Sequence, residues 1–267
     1  MVDDRPELSL PTRVGRAIAG GNDYFGFRVE RNFTDAGAFW RSVLLAIGAG
    51  PSSFEHLQLV KRLAGCNLVA DPRIWPLKLT RLASSYGGIM AGFCAGNVFL
   101  EAARIGPLAA RHAAEFLCSI VGFWDEGRGE LADELERRRV LGHRFPGYGV
   151  PFRAIDERVS VIDRIVMEEG RDSGRYWRCS IAVEAALTGR RQLPRNVVCA
   201  VAAVLLDCGL TPLQVGLLMW IYVIPAYLAN AVEGAQQAAP VLCELPSSCI
   251  KYHGPPHRVS PAMLRRG

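Results

Sequence analysis

Pro194-Arg195-Asn196-Val197-Val198-Cys199-Ala200-Val201-Ala202-Ala203-Val204-Leu205-Leu206-Asp207-Cys208-Gly209, with the apolar run 213–231 close behind it, decides the fold class. Residues 196–206 read as a helix with hardly a polar side chain, the pattern of an element buried on all sides. Residues 213–231 are almost continuously apolar and approach the length that a bilayer crossing needs. That run nevertheless contains Gln214, Pro225 and Asn230, and 197–206 is too short to be its spanning partner. A buried helical hairpin inside a large core accounts for both runs without a membrane.

The rest of the chain agrees. The first twenty residues are polar, with Pro and Gly, and read as an irregular arm. Residues 35–49 carry apolar positions at helical spacing and end at Gly48 and Gly50-Pro51. Residues 52–64 form a second helix, with Ser52 or Ser53 placed to cap it and Gly65 to end it. After Pro76, residues 77–100 look like one long helix; Ala, Gly, Ser and Cys dominate 83–96, which lets helices approach closely. Gly106-Pro107 interrupts, and helices follow over 108–123, 126–141, 156–169 and 177–188. The most irregular stretch is 142–151. No sustained strand alternation and no internal repeat is visible, so the expected class is all-α.

Composition narrows the function. Half of the 267 residues are hydrophobic and 21% are charged, which is globular material. The net charge of +5 is spread over 31 basic and 26 acidic residues. Arg137-Arg138-Arg139, Arg190-Arg191 and Arg265-Arg266 are too short and too poor in aromatics for a nucleic-acid stripe. The eight cysteines form no C-x-x-C pair and have no histidine at zinc-ligand spacing, so buried reduced thiols are expected and no metal. The first residues carry no apolar signal region. A reducing cytoplasm is the expected location.

Four stretches, in order, resemble the citrate synthase and citryl-CoA lyase superfamily. Gly106-Pro107-Leu108 opens a helix as that family's Gly-Pro-Leu-His-Gly-Gly-Ala motif does. Pro146-Gly147-Tyr148-Gly149, followed by Asp156-Glu157-Arg158, is similar to Pro-Gly-Phe-Gly-His with a downstream Asp-Pro-Arg. Pro194-Arg195-Asn196-Val197 resembles the Pro-x-Asn-Val-Asp helix start. Tyr252-His253-Gly254-Pro255, with Arg258, resembles the closing Tyr-x-Gly-Pro segment. The resemblance covers the chain from about residue 100 onward and rests on the order of the motifs.

The resemblance implies acyl-CoA and oxo-acid chemistry that makes or breaks a carbon–carbon bond. Such chemistry needs a base, histidine donors aimed at a developing enolate, and arginines on carboxylates. Carried over position by position, the first histidine falls on Ala109, the second on Val150 and the aspartate on Val198. An arginine of the penultimate helix falls on Val223. Arg158 remains as a candidate carboxylate clamp. A competing register matches Gly142-His143-Arg144 to the family's Gly-His-Arg and restores a histidine. Asp156 lies 13 residues after His143 but 6 after Val150, which favours the Pro-Gly-Tyr-Gly register.

The candidate residues are therefore His143, Arg158 and Tyr148 for catalysis. Arg158, Asn196, Tyr222 and Asn230 are candidates for substrate binding. Lys251, His253 and Arg258 are candidates for coenzyme A phosphates. Each has a plainer role beside it: Arg158 pairs with Asp156 or Glu157, His143 is a loop histidine in water, and the basic tail is simply solvated. His112, one turn beyond Ala109, is a surface or packing histidine before it is a substitute catalyst. Asn230 and Glu233 are placed to contact a ligand, and Asn230 equally to cap a neighbouring backbone group.

Two functions follow from the resemblance. One is an acyl-CoA-dependent transferase or lyase with a rebuilt active site. The other is a catalytically silent homologue that pairs with an active paralogue or binds coenzyme A as a regulatory subunit. A coenzyme A thioester is the implied substrate, with no covalently bound cofactor, and a homodimer is implied. The implied architecture is a large helical domain from 1–113 and 213–267, with a smaller one over 114–212 closing on a cleft between them.

Overall fold

The computed structural model describes residues 11–68, 71–100, 106–150, 154–191, 193–237, 248 and 250–256. Helix α1 (Val29–Asn32) is a single turn; α2 (Ala38–Ala46), a 3-10 helix (Pro51–His56) and α3 (Leu57–Gly65) follow. Then come α4 (Trp75–Val98), α5 (Pro107–Asp125), α6 (Leu131–Val140) and α7 (Glu157–Glu168). The chain continues through α8 (Arg175–Arg191), α9 (Val197–Asp207) and α10 (Pro212–Ala235). The all-α reading holds.

Helix α9 is the axis of the core. Nine of its eleven residues are buried, from Val197 to Leu206 with only Val198 partly exposed. An apolar surface on every side requires partners on every side, and α5, α7, α8 and α10 provide them. Thr211 and Gln214 start α10 with a capping box. Helix α10 is long and apolar enough to cross a membrane, but half of its most apolar window is buried, and it packs on α4, α5 and α9. The buried-hairpin expectation for 197–231 matches this packing.

Two local expectations are corrected. The end of the arm supplies β1 (Gly15–Ile18) to a three-stranded antiparallel meander completed by β2 (Gly21–Tyr24) and β3 (Phe27–Arg28) just after it. Strands of four, four and two residues are too short to show alternation in sequence. Asp23, in β2, pairs with Arg16 and Arg28, and Glu30 accepts from the Asn22 amide at 2.9 Å.

The second correction concerns the helix expected over 77–100. Helix α4 breaks at Gly88, whose φ of +82° lies in the left-handed region open to glycine. A straight helix would separate Thr80 from Gly96 by about 24 Å at ~1.5 Å per residue. Instead a Cβ on Gly96 would lie 3.2 Å from the Thr80 Cβ and 2.9 Å from the Tyr227 ring. The two halves are folded back on each other, and the small residues expected to permit close approach are the ones at that seam.

The turn between α7 and α8 is tied to the end of α9. The Asp207 carboxylate accepts from the amides of Tyr176 (2.9 Å) and Trp177 (2.8 Å), capping α8. Arg195, 7% exposed, pairs with Glu184 (2.7 Å) and Asp163 (3.2 Å) and stacks over the Trp177 ring at 4.8 Å. Each buried charge thus has a partner.

Candidate functional site

The head of α9 gathers the motifs that the resemblance selects. The loop Pro146-Gly147-Tyr148-Gly149 lies antiparallel to residues 194–196: Gly149 N–H donates to Pro194 O (2.8 Å) and Asn196 N–H to Gly147 O (3.0 Å). Asn196 Nδ2 donates to Gly149 O at 3.0 Å. Gly147 has φ +88°, and a Cβ there would sit 2.7 Å from Cys199 Cβ and 3.1 Å from Ala113 Cβ. Only glycine brings this loop so close to α5 and α9.

The amides that open α9 are all taken. Asn196 Oδ1 accepts from Val198 N (3.0 Å) and Cys199 N (3.2 Å), and Asp156 Oδ2 accepts from Val197 N (2.9 Å). Ala200 N–H bonds to Asn196 O at 3.1 Å. A helix N-terminus binds anions through its unsatisfied N–H groups, and these four N–H groups are satisfied from within.

Arg158 faces the same carboxylate. Its Nε and a terminal nitrogen donate to the two Asp156 oxygens at 2.7 and 2.8 Å, a bidentate pair, while Arg158 N–H completes the cap of α7. Burial works to raise the Asp156 carboxyl, but the bonds from Arg158 and Val197 outweigh it and hold the group below its ordinary value. Asp156 therefore joins α7 to α9, a role for which the sequence offered only a nearby Arg158 pairing.

The two tyrosines point elsewhere. Tyr148 is buried and donates its hydroxyl to Ser180 O at 3.0 Å; Tyr222, 1% exposed, donates to Val60 O at 2.7 Å. Burial pushes both hydroxyls well above the usual tyrosine value. Burial also pushes the Cys179, Cys199 and Cys208 thiols up to about 12, which keeps these free cysteines protonated and unreactive.

His143 is exposed on the turn after α6, its own N–H closing the helix on Arg138 O at 2.9 Å. Asn230, 3% exposed, donates to Ala226 O (2.9 Å) and accepts from Arg81, which also grips Glu233. It lies at the α4–α10 contact and not at the head of α9. His112, Lys251 and His253 are exposed, and Arg258 lies outside the described residues. Ala109, Val150, Val198 and Val223 are each partly exposed and present no titratable group. The structure thus brings together Tyr148, Arg158 and Asn196, with Asp156 as the unanticipated centre, and leaves Tyr222 and Asn230 on other faces of α10.

Fold and site together define an all-α protein organised about a buried axial helix with a capped head. No family model matches the sequence, and no curated protein matches it either. Solved structures do. The citryl-CoA lyase of Hydrogenobacter thermophilus matches with a TM-score of 0.72 over 96% of this chain and 99% of that one, at 18% identity. An ATP citrate lyase from Methanothrix soehngenii, solved with citrate and coenzyme A, matches at TM-score 0.72 over 95% of this chain and 43% of its own, at 16% identity. A mutant ATP citrate lyase from Methanosaeta concilii, solved with (3S)-citryl-CoA, gives 0.71, 98%, 44% and 15%. The chain spans less than half of either ATP citrate lyase. Its architecture is the citrate synthase-like fold, the one that the motif order implied.

Proposed function

We propose that this chain is a coenzyme A thioester-binding homologue on the citrate synthase-like fold that pairs with a second chain and does not itself carry out the His/His/Asp carbon–carbon reaction. The observation that carries this reading is the state of the α9 head. Its amides, the Arg158 guanidinium and the Tyr148 hydroxyl are all engaged in holding the fold together. The positions matched to the catalytic residues are Ala109, Val150 and Val198. A positioned acid or base contributes about 10²–10⁴-fold in rate, and side chains without polar atoms supply none of it. Fold-mates solved with coenzyme A and with citryl-CoA support the choice of ligand.

The partner is a second copy of this chain. Tyr86, Ile89 and Met90 at the turn of α4, with Trp220, Leu228 and Val232 on α10, leave apolar groups exposed on the α4–α10 pair. Faces of this kind mark protein–protein contacts. An active paralogue in place of the second copy is the alternative occupant.

His143 supports a second reading, a rebuilt active site, because its imidazole remains exposed in a glycine-rich loop. Isothermal titration with coenzyme A and acetyl-CoA, with and without oxaloacetate, tests the ligand. Heat on binding without turnover supports a silent binder. No heat removes the thioester from the proposal. Light scattering tests the partner, and a monomer at micromolar concentration removes the second copy.

A further inference from the structure

The strip where the 3-10 helix and α3 meet the end of α7 holds charged contacts that the proposed function does not use. His56 ends the 3-10 helix at its junction with α3 and is 9% exposed. Arg171, in the turn after α7, brings a guanidinium nitrogen to 3.1 Å from His56 Nδ1. A guanidinium has only donors, so Nδ1 accepts and the imidazole is neutral, with its proton on Nε2. That Nε2 faces Glu55 at 3.2 Å. Roughly two turns further along α3, Arg62 pairs with Glu168 and, at 2.8 Å, with Glu169.

We infer that His56 and Arg171 form an acid-sensitive clasp that releases the leading end of α3 from the α7–α9 layer while the Arg62 pairs keep its trailing end pinned. A proton on Nδ1 replaces an N–H···N bond with two facing cations at a contact whose imidazole side is buried and whose guanidinium side reaches solvent. Burial first, and then the Arg171 charge, lower the imidazole below its ordinary value; Glu55 works against them. The unfolded chain therefore takes up this proton at higher pH than the folded one. The contact's stabilisation is complete above about pH 6.5 and is lost as pH falls through the lower folded value.

The neighbouring groups leave this outcome in place. Across a cavity of about 10 Å³, room for one water, Arg171 meets Leu59, Asp207 and the Cys208 thiol. Asp207 is bonded to the amides of Tyr176 and Trp177, and burial raises its carboxyl above the ordinary value. Glu168 is held below the usual carboxylate range by its bond to Arg62, so that pair outlasts the charging of His56. In the two-domain arrangement implied by the resemblance, the clasp crosses the domain boundary, so its release favours an open cleft; only this consequence rests on that arrangement.

Hydrogen–deuterium exchange of the full chain at about pH 7.5 and about pH 5.5 reads the clasp directly. Expressed as protection factors, amides 56–60 lose protection at the lower pH and amides 62–65 keep theirs. His56→Gln, which accepts from Arg171 and does not titrate, abolishes the difference. Arg171→Gln, which removes the facing cation and leaves the imidazole buried, shrinks it and serves if the first variant folds poorly. Unchanged wild-type protection, or a pH response undiminished in either variant, overturns the inference.

Discussion

The head of α9 and the outer face of the α4–α10 pair treat their chemistry in opposite ways. At the head, the donors around Asn196 and Asp156 are satisfied by the chain itself, and the remaining positions are apolar. On the outer face the apolar groups are left open: Met90 is 70% exposed and Leu228 47%. A catalytic site reverses the first pattern, keeping polar groups available and strained for substrate. A surface that meets another molecule shows the second. The contrast is the basis for proposing the flank as the contact surface.

The comparison breaks most readily at Asp156. Asp156→Ala removes the cap of α7, the acceptor for Val197 N–H and the partner of Arg158. It should cost about 3–4 kcal/mol in denaturant unfolding, as expected for a buried pair with one partner removed. A loss under about 1 kcal/mol would mean that the head is not a structural joint. Next is Gly147→Ala, which puts a side chain at φ +88° and against Cys199. About 1–3 kcal/mol is expected, with the unfolding midpoint lowered accordingly.

A smaller change of opposite sign sharpens the contrast. The Ser84 hydroxyl, buried at the α4 seam, has no hydrogen-bond partner among the described residues. Ser84→Ala removes an unsatisfied polar group at nearly constant volume and should stabilise by about 1 kcal/mol. The smallest stability effect belongs to the outer face. Met90→Lys with Leu228→Lys should alter monomer stability by no more than about 0.5 kcal/mol, yet light scattering should show the dimer dissociated. A double variant that still dimerises would place the interface elsewhere.

The sequence carried the helical class because α9 and α10 are apolar on nearly all sides, a pattern that survives without any knowledge of partners. Asn196 and Asp156 were visible at helix starts, and the Arg158–Asp156 pair was one of two readings open for Arg158. The hydroxyl partners of Tyr148 and Tyr222 were not visible, because Ser180 and Val60 lie 32 and 162 residues away along the chain. The fold-back at Gly88 was hidden inside a run of small residues, where one glycine with positive φ looks like any other. The meander of β1–β3 was hidden by its brevity. Asp156 escaped notice as a joint because its second helix, α9, begins 41 residues later.

The central claim, that the α9 head holds the fold together and does not act on substrate, is tested most directly by a single-turnover assay. Citryl-CoA is mixed with a stoichiometric excess of the purified chain and acetyl-CoA release is followed. The account predicts release no faster than in buffer. Release well above buffer that disappears in His143→Ala would contradict it and establish a rebuilt active site.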